Sequence, residues 1–434
     1  MTATSVDDVT DGPDLARGAL PRLTVAKSIS NTALRWVPPF LPTLEKAFGA
    51  STTQLTTILG LSEMAGLSTI AVGPQLDRGR ERLVVTLGIV CVTIASLVAL
   101  GGTTWTFALG SLLVVLGVAN ITVACHTFIG ARVAYARRAR AIGLLETSWA
   151  FALLVGAPII AILISLFGWR GPYVALALAS ATTALVIARS PAVAAPPTTP
   201  DGTPFAPFVD GPGATADLAV DEGAAIGTAS TPIATVGGAA SLLSSMTTSA
   251  WFIVFGSAFS ALAGLSVFAI SGSWLDDDFG VSTGGLGAVA MGFGAIELIS
   301  SSTSAAFADR IGKLRGTVGA LLLLVVGTGV MSAAGSTLWI GVVGILTFLC
   351  GFEFAIVTSF SLVSEARPSA RGATIALSNG VGTVARGGGT IVGGWLYGIH
   401  GVDGTLTLSA IAAVVAATCF VLSRRTRRPD VAAI

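Results

Sequence analysis

An all-α membrane protein, with twelve transmembrane helices in two pseudo-symmetric six-helix bundles, is the fold class the sequence predicts. Three observations predict it: an extreme apolar composition, a dozen long runs almost free of charge, and a repeat relating the two halves of the chain. The 434 residues are 53% hydrophobic and only 11% charged, with a mean hydropathy of +0.83. Soluble domains carry roughly 25% charged residues, and a soluble fold of this size would not bury so much apolar surface. Runs of about 20 residues suffice to cross a hydrocarbon core of roughly 30 Å.

The first six spans are expected at Leu23–Phe48, Thr53–Gln75, Leu83–Gly101, Trp105–Ile129, Ile142–Phe167 and Gly171–Ala188. The second six are expected at Ser249–Trp274, Gly284–Ala308, Gly316–Gly335, Trp339–Val363, Ala373–Gly398 and Thr405–Ser423. This divides the chain into a tail (1–22), an N-terminal bundle (23–189), a linker (190–248), a C-terminal bundle (249–423) and a second tail (424–434). The linker is rich in Pro, Gly, Ala, Thr and Asp and has no Lys or Arg, a composition that favours a flexible connection. The N-terminus carries Asp7, Asp8, Asp11 and Asp14 and no apolar core of a signal peptide, so the first helix is expected to direct insertion itself.

Lysine and arginine set the expected orientation. Of 24 basic residues, 20 fall on one side, Lys46 and Arg170 on the other, and Arg35 and Arg386 within spans. The positive-inside rule makes the rich side cytoplasmic, with both termini there. Trp105, Trp169, Trp274, Trp339 and Trp395 collect on the opposite side, as an interfacial belt would. The net charge of +1 gives no sign of a nucleic-acid partner. The four cysteines, Cys91, Cys125, Cys350 and Cys419, sit in apolar segments without metal or CxxC spacing and read as packing residues. No HExxH, nucleophile elbow or phosphate loop occurs, so no enzymatic activity and no cofactor are expected.

Setting aside Lys27, Glu45 and Lys46 near the ends of the first span, six charged residues lie inside the expected spans: Arg35, Glu63, Glu146, Glu297, Glu353 and Arg386. A charge in hydrocarbon costs a few kcal/mol at least, so six of them point to a polar pathway, hence a transporter. A buried, unpaired glutamate favours its neutral form and can carry a proton, the property a proton-coupled carrier needs. Glu297 and Glu353 are the first candidates for that role, with ion pairing to Arg35 or Arg386 as the alternative. Glu146, six residues beyond Arg140, suits a contact at the cytoplasmic mouth. Pro38, Pro39 and Pro42 are expected to break the first helix near its outer end and expose carbonyls there. Asn31, Asn120 and Asn379 are further polar candidates, and His126 has a lesser claim.

The repeat is explicit. Phe48-Gly49-Ala50-Ser51-Thr52 recurs as Phe279-Gly280-Val281-Ser282-Thr283, Leu76-Asp77-Arg78 as Ala308-Asp309-Arg310, Ala139-Arg140 as Ala370-Arg371, and Gly168/Gly171 as Gly401/Gly404. The offsets stay between 231 and 233 residues. Four ordered matches at one offset indicate two parallel copies of a six-helix unit, with the transport site expected between them.

The loop Gly73-Pro74-Gln75-Leu76-Asp77-Arg78-Gly79-Arg80-Glu81-Arg82 and its second copy, Ala305 to Lys313, resemble the G-x-L-x-D-R-x-G-R-[KR] loop of the major facilitator superfamily. Phe167-Gly168-Trp169-Arg170 after helix 5 and Glu365…Pro368…Arg371 before helix 11 are further similarities to that family, and the segments around Glu297 and Glu353 are similar to its bacterial sugar-efflux and drug-efflux branch. Gly156-Ala157-Pro158 resembles the family's antiporter motif with an alanine inserted. The resemblance implies alternating access, with Asp77 facing the start of helix 11 near Arg371, and Asp309 the start of helix 5 near Arg140. Asp77, Arg78, Asp309, Arg310, Arg140 and Arg371 are thus expected as a conformational latch formed when the cytoplasmic side is closed. Such a carboxylate is favoured against a helix N-terminus. It also implies that helices 3, 6, 9 and 12, which carry none of the six charges, are the outer scaffold. The expected function is proton-coupled efflux of a small amphipathic or sugar-like molecule from a bacterial inner membrane, by a lipid-embedded monomer, with protons as coupling ion. The alternative is import, or facilitated diffusion, of a polar or anionic metabolite.

Overall fold

The computed structural model describes residues 13–133, 135–194, 246–367 and 371–426. The first crossing consists of α1 (Pro13–Arg35), a 3-10 turn at Pro38–Phe40, and α2 (Leu41–Phe48). Proline lacks the N–H that an α-helix needs and clashes with the preceding turn, which is why α1 stops before Pro38. The second crossing is α3 (Thr52–Ser62), a 3-10 stretch at Glu63–Ser68, and α4 (Thr69–Asp77). The third and fourth are α5 (Glu81–Ala99) and α6 (Thr104–Arg132). The fifth is α7 (Tyr135–Leu154) followed by α8 (Gly156–Phe167), and the sixth is α9 (Arg170–Ala188). A short α10 (Pro191–Ala194) follows, and the rest of the expected linker up to residue 245 lies outside the described residues. The second half holds α11 (Thr248–Phe279), α12 (Thr283–Ile311), α13 (Lys313–Ser332), α14 (Leu338–Glu365) and α15 (Arg371–Thr426). The last doubles back at Gly401, whose backbone leaves the helical region (φ 64°, ψ −159°).

Ten helical stretches among the described residues are long and apolar enough to cross a membrane. The first crossing is absent from them because prolines interrupt it and Lys27 and Arg35 lie within it, and α15 counts once although it has two arms. The architecture is therefore consistent with twelve crossings in two halves. Helix α1 begins ten residues earlier than expected, inside the segment read as a tail, and Ala19 and Leu23 are fully buried.

The sequence repeat has a physical cause visible in the backbone. The described glycines with positive φ are Gly49, Gly79, Gly102 and Gly168 in the first half, and Gly280, Gly312, Gly335 and Gly401 in the second. They pair one to one at the offset of the repeat. Each sits where a crossing ends and the chain turns, in a conformation that a Cβ disfavours. Ser51 caps α3 reciprocally with Gln54, and its counterpart Ser282 stands at the start of α12 and accepts from the Gly285 N–H at 3.3 Å.

A second symmetric feature is a pair of ion bridges with inverted charge. Glu81 at the start of α5 accepts two bonds from Arg132 at the end of α6, at 2.9 and 3.1 Å, with both side chains buried. At the equivalent places in the other half, Lys313 bridges Glu365. Arg132→Glu alone is expected to cost about 3–5 kcal/mol, because it leaves Glu81 buried without a cation. Glu81→Lys combined with Arg132→Glu should recover most of that loss, since the second half already uses the opposite polarity. Thermal unfolding of the purified variants in detergent checks this.

The halves are sealed at the end remote from the termini. Phe40, Leu41, Leu44, Trp274 and Leu275 are at most 1% exposed there. Glu45 Oε1 accepts from Ser273 at 2.7 Å and Thr52 at 2.8 Å, and Lys46 reaches Asp276 at 3.4 Å. The expected free carbonyls of Pro38 and Pro39 are instead packed on α11: a Cβ on Gly272 would lie within 2.5 Å of both oxygens. Trp274 likewise leaves the expected interfacial belt. It is buried and donates to Asp278 at 2.8 Å, whereas Trp105, Trp339 and Trp395 are exposed.

Candidate transport site

Two seams join the halves at mid-depth. Along α3 and the first arm of α15, Thr53 donates to the Gly394 carbonyl at 3.1 Å, and Gly60 and Gly387 bring the two backbones together. A Cβ on either glycine would lie 2.5 Å from the other's carbonyl oxygen. Along α7 and α12, a Cβ on Gly294 would lie 2.3 Å from the Leu154 backbone nitrogen. Small residues permitting close approach are the usual basis of helix association in lipid. Towards the terminus end, α4 packs on α5 and α6 of its own half.

Each seam carries an ion pair across the halves. Arg35, at the last turn of α1, grips both carboxylate oxygens of Glu297 on α12, with Nη1 at 2.6 Å from Oε2. The same Nη1 lies 2.9 Å from the Trp149 carbonyl. The guanidinium lies 4.3 Å from the Trp149 ring centroid and 5.4 Å from that of Phe268, so it is held between two aromatic faces. Arg35 and Glu297 are almost fully buried. Glu353 on α14 is buried within electrostatic reach of both, with no hydrogen bond or ion pair to its carboxyl among the described residues. One arginine thus stands between two carboxyl groups and is committed to one of them.

The second pair is Arg386 on α15 with Glu63, where the 3-10 stretch begins. Arg386 Nε donates at 3.0 Å to Glu63, and Nη2 lies 3.0 Å from Thr383. This pair is more open, at 36% and 20% side-chain exposure, so it lines accessible space where Arg35 does not. Asn379 lies seven residues before Arg386, on the same face of α15, and is exposed.

Glu146, expected at the cytoplasmic mouth, finds its partners within its own half. Its Oε1 takes a bond from Lys27 at 2.6 Å and meets His126 Nε2 at 2.7 Å. All three belong to the first half, because α6 and α7 flank α1 there. Lys27 had been counted with the cytoplasmic charges, yet it is 2% exposed. The signal that finds it is spacing: Lys27, Asn31 and Arg35 recur every four residues and form one stripe of α1. That stripe faces α7, where Asn31 donates to Ser148 at 3.1 Å and Arg35 to the Trp149 carbonyl. Trp149 and Phe268 were also missed, since aromatic residues in apolar helices carry no distinguishing pattern. Asn120 braces the 3-10 stretch by donating to Ser68 at 2.9 Å.

The latch is only partly described. Asp77, Arg78, Arg140 and Arg310 are exposed, and the Arg310 guanidinium lies 5.8 Å from the Phe307 ring. The side chains of Asp309 and Arg371 lie outside the described residues. The four cysteines are unpaired, and no metal-binding cluster occurs among the described residues.

The Major Facilitator Superfamily model matches residues 23–387 and, overlapping, 253–433. The chain belongs to that family, whose members are membrane carriers and not enzymes. An uncharacterized MFS-type transporter of Bacillus subtilis (strain 168), YwfA, is 28% identical over 138 residues, 31% of this chain and 33% of that protein. The chain thus aligns with only a third of that relative's length. Among solved structures, a bacterial homolog of the human lysosomal transporter Spinster, inward-facing and unoccupied, superposes with a TM-score of 0.75 at 14% identity, covering 95% of this chain and 98% of the other. A D-xylose–proton symporter superposes with a TM-score of 0.69 at 14% identity, covering 93% and 97%. Both show the fold that this chain shares.

Proposed function

We propose that this carrier exports a small amphipathic or sugar-like molecule in exchange for protons, by rocking its two halves about the Arg35–Glu297–Glu353 cluster. The observation that carries the reading is the stoichiometry of charge at the junction: one arginine, two glutamates, all buried, contributed by both halves. A carboxyl without a counter-ion in apolar surroundings is favoured neutral. A proton taken up at Glu353 therefore balances the cluster, and substrate arrival or a change in packing releases it. Trp149, partly exposed beside the cluster, suits an amphipathic ligand better than a strongly hydrated one. With the basic side placed in the cytoplasm of a bacterial inner membrane, the sealed end faces outward. Both halves belong to one chain, so a lipid-embedded monomer contains the whole pathway.

A second reading, import of an anionic metabolite, is favoured by one observation. Arg386 is half-exposed, whereas Arg35 is buried and bonded to Glu297 and Trp149. Of the two interfacial arginines Arg386 is therefore the one open to an anion, which would compete with Glu63 for it. The test uses inside-out vesicles and a substrate found by a thermal-stability screen of metabolites and drugs. Export by exchange predicts that adding substrate outside the vesicles releases protons from the lumen. Transport indifferent to a pH gradient would refute the coupling.

A further inference from the structure

The Lys27–Glu146–His126 group is a titratable cluster inside the first half that the central site does not use. Glu146 Oε1 is shared by Lys27 and His126, and no hydrogen bond occupies Oε2 among the described residues, although the side chain is 44% exposed. The cluster therefore joins an accessible carboxylate to a buried ammonium through one oxygen. From Lys27 polar side chains recur one turn apart along α1, each bonded across to a neighbouring helix: Asn31 to Ser148 on α7, then Arg35 to the Trp149 carbonyl on α7 and to Glu297 on α12. Asn31 Oδ1 is buried along that line with no hydrogen-bond partner. It is an unused acceptor of the kind that holds a bridging water.

Other charges around the cluster are already committed. Arg132 on α6 is held by Glu81 on α5, Glu297 on α12 by Arg35, and Glu63 in the 3-10 stretch by Arg386. Cys125, beside His126, is fully buried and within reach of both Lys27 and Glu146. Among the described residues the groups that face Glu146 are therefore Lys27, His126 and Cys125, and Glu146 and His126, at 44% and 13% side-chain exposure, are the least buried of the four.

We propose that His126 and Glu146, anchored by Lys27, form a second proton-exchange site that passes protons between the accessible side and Glu353 along the α1–α7 polar line. For each proton accepted at the His126–Glu146 pair one is delivered to Glu353 by water bridging the polar groups of the line, with Lys27 and Arg35 staying protonated, so charge balances without a co-reactant. The proposal rests on Glu353 being the coupling group.

Trp149 provides the readout, because its ring lies against Arg35. The full-length protein in detergent is subjected to a rapid pH jump while tryptophan emission is followed. Subtracting the trace of Trp149→Phe isolates the signal of interest. Expected is a Trp149 transient that Glu353→Gln abolishes. His126→Gln and Glu146→Gln should each slow it by at least about tenfold while keeping its amplitude, a modest share of what a positioned proton-transfer group contributes. If Glu353→Gln abolishes the transient but both other variants keep the wild-type rate, the relay is overturned and proton coupling at Glu353 stands. If Glu353→Gln leaves the transient intact, or the wild type shows none, the relay and the reading on which it rests both fall. His126→Gln decides alone if Glu146→Gln does not fold.

Discussion

Arg35→Met is expected to destabilise the folded protein by about 3–5 kcal/mol, the usual cost of removing one partner of a buried ion pair. The physical reason is what remains. Glu297 is 1% exposed and would keep its carboxylate in an apolar junction with no cation. The guanidinium also lies between Trp149 and Phe268, a desolvated arrangement worth about 2 kcal/mol more in favourable cases. The companion variant makes the argument specific. Arg35→Met with Glu297→Met replaces the pair by apolar side chains and should return most of the lost stability, since such replacements are often neutral or stabilising by about 1–4 kcal/mol. Thermal unfolding of the single and double variants, with monodispersity followed by gel filtration, measures the coupling. A single variant as stable as the wild type, or a double variant no better than the single, would mean that the pair does not join the halves.

Glu353→Gln is expected to uncouple transport with little effect on folding. Glutamine keeps the shape of a neutral carboxyl but holds no exchangeable charge. Proton-driven accumulation should fall by at least about tenfold, equivalent to about 1.4 kcal/mol of lost driving free energy. Substrate exchange between two loaded compartments needs no net proton movement and should continue. Loss of both activities would indicate a structural role for Glu353, and loss of neither would remove it from the pathway.

Most of the fold was legible because the features that define it are local. Apolar runs of membrane-spanning length, a helix-breaking proline pair and turn glycines at a fixed offset are written residue by residue. The six intramembrane charges were legible for the same reason: a charge in an apolar run is conspicuous whatever surrounds it. Their partners were not. That Arg35 binds Glu297, and Arg386 Glu63, depends on which helices touch across the halves, and helix periodicity does not contain that information. Lys27 was missed because, four residues into the expected first span, it was counted with the cytoplasmic charges, whereas α1 extends back to Pro13 and holds it buried in the bundle. Glu146 was assigned to a gate from its depth alone, while its partners, Lys27 and His126, lie on two other helices of its own half.

The central claim is that protonation of the junction shifts the two halves between alternate arrangements. Trp105 and Trp339 stand at equivalent places in the halves, at the sealed end, and are 85% and 75% exposed. Spin labels on cysteines replacing these two, with Cys91, Cys125, Cys350 and Cys419 changed to serine or alanine, report the separation of the halves by pulsed electron resonance. A distance distribution that gains a longer component as the pH is changed, and that becomes insensitive to pH in Glu353→Gln, is the predicted result. The same distribution at every pH in the wild type, or an undiminished response in Glu353→Gln, would contradict it.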